Sequence, residues 1–134
     1  MKLSLDYNTS HYTIRSYDVG EIVINEEKLT RSLIVMPERL LRDWVPQNFE
    51  QLELEHTRIV TDLDPEIILL GTGKSLHFPH AELISALARA HDVDFLSGQT
   101  RQIGVEVMDT AAACRTYNIL SAEGRSVAAA LFMI

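Results

Sequence analysis

Ile67-Ile68-Leu69-Leu70-Gly71-Thr72-Gly73 decides how this chain folds. Four aliphatic residues in succession, without polar alternation, suit a strand buried on both faces, the condition of an inner strand in a parallel sheet. The run passes straight into two glycines, which mark a strand end and permit a tight turn there. Two more stretches have the same character. Residues 103–108 are aliphatic apart from Gly104 and Glu106, and residues 125–134 close on an eight-residue run, 127–134, with no polar side chain. These three stretches are expected to lie side by side as inner strands.

Helical spacing fills the gaps between them. Leu52, Ile59, Val60 and Leu63 recur at that spacing across residues 53–62, and Pro65 ends the segment. Pro79 suits the first turn of a helix in which Leu83, Ile84, Leu87 and Ala88 share a face and which ends near His91. Asp109 or Thr110 can cap a helix running through Ala113, Tyr117 and Leu120, and Gly124 can end it in a left-handed turn. Residues 92–102, polar and containing Ser97 and Gly98, read as an exposed loop. Upstream, residues 12–17 and 21–24 alternate and 33–36 form an apolar run. Asp18, Gly20, Asn25 and Pro37 punctuate them, giving a β-rich meander with a further short strand near residues 42–45. The expected fold is α/β: a three-layer single domain over residues 1–134, with a mixed, largely parallel central sheet covered by helices and an N-terminal β-rich meander.

A chain of 134 residues, 46% hydrophobic and 23% charged, suits one ordinary globular domain. Cys114 is the single cysteine, so an intramolecular disulfide is impossible, a cysteine-based zinc site lacks its ligands, and a reducing compartment fits. A net charge of −7 repels phosphate backbones, and the nearest basic pair, Arg39 and Arg42, is followed by Asp43 and Trp44 rather than by more cations. Nucleic acid is therefore not an expected partner. The longest apolar run falls well short of the roughly twenty residues of a membrane-spanning helix. Residues 1–8 lack the features of a signal or transit peptide, so the expectation is a bacterial, cytoplasmic protein.

Several groupings could carry chemistry. Gly71-Thr72-Gly73-Lys74-Ser75 ends like a phosphate loop, but Ile68 stands where its first glycine belongs, and Leu76 stands where a dinucleotide fingerprint needs its third. His77 and His80 have a metal-ligand spacing but straddle Pro79 and lack a third ligand, so neither metal nor cofactor is expected. Cys114 lies one turn inside a helix, where a thiol can become reactive, although a lone cysteine is more often a small buried apolar residue. Glu106 interrupts an apolar strand, and Arg115, Asn118, Glu123 and Arg125 are close in sequence. The plainer reading is a polar network in which Arg115 or Arg125 compensates Glu106 or Glu123 and seats the last helix. The functional alternative is a pocket at the carboxyl ends of parallel strands, lined by Gly71, Thr72, Gly73, Met108, Asp109 and Thr110, with Asp109 as acid or base and Cys114 as a remote nucleophile. No complete set of nucleophile, base and oxyanion donors is present, so an enzyme is the less favoured reading.

The string from Gly104 to Asp109, then Ala112 to Asn118, then Glu123, Gly124, Arg125 and Val127, together with Leu69 to Gly73 and Phe78-Pro79, resembles a particular family. It is the uncharacterised family of small α/β proteins that includes a mitochondrial assembly factor of respiratory complex I. The likeness runs from about Tyr17 onward and is most specific between Met108 and Arg125. It implies a three-layer fold with a mixed sheet and a non-enzymatic interaction or assembly role exercised on a protein partner. Two departures stand out: no mitochondrial presequence, and a longer stretch at residues 92–102.

Overall fold

The computed structural model describes residues 11–93 and 100–134, with side chains at 90–93, 100 and 101 left aside. Strands β1 (Ile14–Asp18), β2 (Glu21–Ile24) and β3 (Glu27–Leu29) form the antiparallel meander, turned at Gly20 and at Asn25, whose φ values are 75° and 54°. β4 (Leu33–Met36) and β5 (Arg39–Leu41) make a hairpin that joins the main sheet. Two 3-10 turns, Phe49–Gln51 and Leu54–His56, lead into the short helix α1 (Thr57–Thr61). Then follow β6 (Ile67–Gly71), α2 (Ala81–Leu87), a small hairpin of β7 (Arg89–Val93) and β8 (Thr100–Gln102), β9 (Gly104–Met108), α3 (Thr110–Ala122) and β10 (Val127–Leu131).

The fold is mixed α/β. The main sheet has the order β5-β4-β10-β6-β9, so the three aliphatic stretches are neighbours. β10 and β9 flank β6 in parallel, Val127 and Gly104 both level with Ile67, and Leu131 and Met108 level with Gly71. Their carboxyl ends therefore finish in one row.

Alternation sorts the core onto two faces. Leu69, Val127, Ala129 and Leu131 share one cluster with Tyr117 and Cys114 of α3 and with Ile14, Ile22 and Ile24 of the meander. Ile68, Leu70, Ala128 and Ala130 share the other with Val60, Leu83, Leu87 and Trp44. The alanines of β10 balance the largest side chains of the two clusters, Tyr117 on one face and Trp44 on the other, and Trp44 stacks on Phe132 with centroids 5.2 Å apart.

Four expectations need correction. Residues 42–45 are not a strand: β5 ends at Leu41, and Asp43 takes a φ of 134° that turns Trp44 into the core. There the Ser32 hydroxyl donates to the Trp44 carbonyl at 2.8 Å and the Trp44 N–H donates to the Ser32 carbonyl at 2.9 Å. The helix expected to reach His91 stops at Leu87, because Arg89–Val93 leaves it to pair with Thr100–Gln102. The proposed loop 92–102 is thus strand at both ends, and residues 94–99 lie outside the described residues. Among the described strands, parallel pairing joins only β10, β6 and β9, while β4 pairs antiparallel with β10 and β5 antiparallel with β4, so the sheet is mixed rather than largely parallel.

Candidate functional site

The six residues expected to line a pocket do converge at the carboxyl row. Asp109 caps α3, its Oδ1 accepting the Ala112 N–H at 2.9 Å. Thr110 behind it is fully buried: its hydroxyl donates to the Phe132 carbonyl at 2.7 Å and accepts the Gly73 N–H at 2.8 Å, and its backbone N–H donates to the Gly73 carbonyl at 2.9 Å. Thr72 is engaged likewise. Its N–H donates to the Met108 carbonyl at 2.9 Å, its hydroxyl donates to the Ser75 carbonyl at 2.7 Å, and the same oxygen accepts the His77 N–H at 3.1 Å.

Gly71 is not a turn residue but the last position of β6. A Cβ there would stand 2.8 Å from Leu131 Cδ2 and 3.1 Å from Thr110 Cα, so only glycine lets α3 start this close to the sheet. The turn belongs to Gly73, with φ at 108°. Hydroxyls and N–H groups at this row are thus committed to closing a junction between three strand ends and a helix start.

The proposed polar network divides. Glu106 is exposed because β9 is the outer strand of the described sheet, so no buried charge arises there. Arg125 meets Glu66 at 3.2 Å, not Glu106 or Glu123, and Arg115 donates to the Tyr17 hydroxyl at 2.7 Å. Asn118 does what the sequence did not suggest: its Oδ1 accepts the Ile14 N–H at 3.0 Å and its Nδ2 donates to the Ile14 carbonyl at 2.7 Å, clasping β1 as a neighbouring strand would. Tyr117 adds a bond from its hydroxyl to the Tyr12 carbonyl at 2.7 Å. Burial pushes the Cys114 thiol up to about 12, against an ordinary 9.0, with the Arg115 charge opposing only in part. Such a thiol is not a nucleophile near neutrality.

Two concavities lie away from this row. One of about 390 Å³ sits at the amino end of β10, lined among others by Met36, Leu63, Glu38, Arg39 and Arg125. Another, about 320 Å³, opens beyond the Thr72 loop between Phe49 and Leu52 on one side and His77, Phe78, Pro79 and Leu83 on the other. His77 stacks on Phe49 with ring centroids 5.2 Å apart, and Phe78 is 71% exposed. Sequence patterning had no means to single out this second cleft, since its two walls come from segments with no shared motif. No helix among the described residues is long and apolar enough to cross a membrane.

Known proteins resemble this chain in sequence and in fold. The chain is 29% identical to a Francisella tularensis protein named 13 kDa major membrane protein, over 84% of each chain. It is 33% identical, over 88% of its own length, to NADH dehydrogenase [ubiquinone] 1 alpha subcomplex assembly factor 3 of Danio rerio, of which it spans only 62%. The solution structure of a Bordetella pertussis protein described as an Mth938-like domain superposes with a TM-score of 0.74 at 29% identity, covering 99% of this chain and 92% of that one. The model of a family described as a protein of unknown function (DUF498/DUF598) matches residues 14–132, a span holding every element from β1 to β10, and the chain belongs to that family.

Proposed function

We propose that this protein is a non-enzymatic interaction and assembly factor, a single three-layer domain that binds subunits of a respiratory complex in the cytoplasm while they come together. The observation that carries the reading is the likeness to complex I assembly factors across 88% of this chain. The committed hydrogen bonds at the strand ends support it from the other side. A small-molecule pocket at Gly71, Thr72, Gly73, Met108, Asp109 and Thr110 would have to draw on donors and acceptors already bonded to the backbone. Transfer of function along a shared fold is analogy, so a cellular test decides it.

Deleting the gene in its own host and following newly made NADH dehydrogenase on native gels provides that test. Subassemblies are expected to accumulate, to disappear when the chain is restored, and to co-purify with a tagged copy. Assembly at an unchanged rate, with no dehydrogenase subunit on the tagged copy, would overturn the reading.

A further inference from the structure

The carboxyl row of the main sheet is closed by its own bonds, whereas the opposite end of the same sheet holds a cavity. That cavity, about 390 Å³, is built from four separate stretches: His11 ahead of β1, Glu38 and Arg39 where β4 turns into β5, Leu63 after α1, and Arg125 between α3 and β10. Backbone bonds fix these stretches against one another. The Tyr12 N–H donates to the Pro37 carbonyl at 2.8 Å, the Glu66 N–H donates to the Ser126 carbonyl at 2.8 Å, and β4 runs antiparallel beside β10. The cavity is therefore preformed, and its volume falls within the roughly 300 to 1,000 Å³ of small-molecule sites.

Its lining has an apolar part, Met36 and Leu63, and a charged part whose signs can be accounted for one by one. Arg125 is compensated by Glu66 but uses only its Nε, at 3.2 Å, so its two terminal nitrogens remain as donors. Arg39 and Glu38 are left over, one of each sign. Among the described residues neither side chain meets an opposite charge. The last carbonyls of α3, which would repel an anion, are occupied: Leu120 by the Arg125 N–H and Ser121 by the Gly124 N–H, both at 3.0 Å. We propose that this cavity binds a small zwitterion with an apolar body, the chemistry of a free apolar α-amino acid. Arg39, with the terminal nitrogens of Arg125, takes the carboxylate, Glu38 takes the ammonium group, and Met36 and Leu63 receive the side chain.

A titration of the whole chain followed by amide NMR tests this with three probes that share one branched tail. L-leucine carries both charges, isocaproate only the negative one, and isoamylamine only the positive one. Leucine is expected to give saturable shifts at the amides of Glu38, Arg39, Arg125 and Ser126, with a dissociation constant on the order of 1 mM, ordinary for so small a ligand. Each single-charge analogue should bind about tenfold more weakly, the effect of losing one charge-assisted bond. R39Q should bring leucine down to the affinity of isoamylamine, and E38Q to that of isocaproate. R15Q removes an arginine of β1 outside the cavity and should change nothing. The absence of saturable shifts at those amides overturns the proposal. So does equal binding of the three probes, the mark of a merely apolar hollow, or leucine binding that R39Q leaves intact or that R39Q and R15Q weaken alike. No partner protein enters the measurement, so this proposal and the assembly reading can fail separately.

Discussion

Thr72 and Phe78 belong to one short stretch of chain beyond the same strand, and they meet opposite surroundings. Around Thr72 the polar groups are bonded to one another: Gly73 to Thr110, Thr110 to Phe132, Thr72 to Met108, Ser75 and His77. Phe78, by contrast, presents a large apolar ring, 71% exposed, as one wall of a cleft. The carboxyl row of a parallel sheet is where open α/β folds usually take ligands. Here that row is bonded to itself, and Thr72 also ties down Ser75 and His77 at the start of the loop that leads to Phe78.

The contrast breaks first at Thr110. T110V keeps the shape but leaves the Gly73 N–H and the Phe132 carbonyl buried without a partner, a loss of about 3 kcal/mol in urea unfolding. T110S, which keeps the hydroxyl, should lose only about 1 kcal/mol. Equal losses in both would mean that the methyl group, not the bonded hydroxyl, holds the junction. At Gly71 an alanine meets Leu131 Cδ2 and the Thr110 backbone, and G71A is expected to destabilise by about 2 kcal/mol through overpacking. An unaltered midpoint there would show that α3 can shift away from the sheet.

The meander offers a smaller effect that sharpens the comparison. N118A removes the clasp on Ile14 and should cost about 1 to 2 kcal/mol, with faster amide exchange in β1 than in β6. Uniform acceleration across both strands would mean that the meander and the main sheet open as one unit. The smallest effect concerns Cys114. With its thiol held up near 12, the native protein should resist iodoacetamide at pH 8, and labelling at the rate of a free thiol would contradict the burial. The sign of the pH dependence follows. The folded state favours the protonated thiol, so its contribution is whole below the ordinary value of 9.0 and falls away as pH rises toward about 12.

Much of this was readable from residue order. The runs at 67–70 and 127–134 have no polar face, which leaves only the interior of a sheet for them, and Asp109 and Gly124 delimit α3 by cap chemistry that operates within a single turn. What was not readable depends on distant partners. Arg89–Val93 has no strand pattern of its own and is extended because Thr100–Gln102 lies beside it. Glu106 looks like a buried charge until β9 is known to be the outer strand of the described sheet. Arg125 chooses Glu66, far back in the chain, over the nearer acids. The six candidate pocket residues lie along one row, but whether the hydroxyls of Thr72 and Thr110 face a ligand or the backbone depends on partners at Gly73, Ser75 and Phe132, which no spacing encodes.

Amide hydrogen exchange at Thr72, Gly73, Thr110 and Phe132, measured under native conditions, tests the closed junction most directly. All four N–H groups are bonded inside it, so they should exchange only through global unfolding, with the same free energy as the slowest amides of β6 and β10. Exchange orders of magnitude faster at these four, with β6 and β10 still protected, would mean that the row opens on its own and is available to a ligand after all.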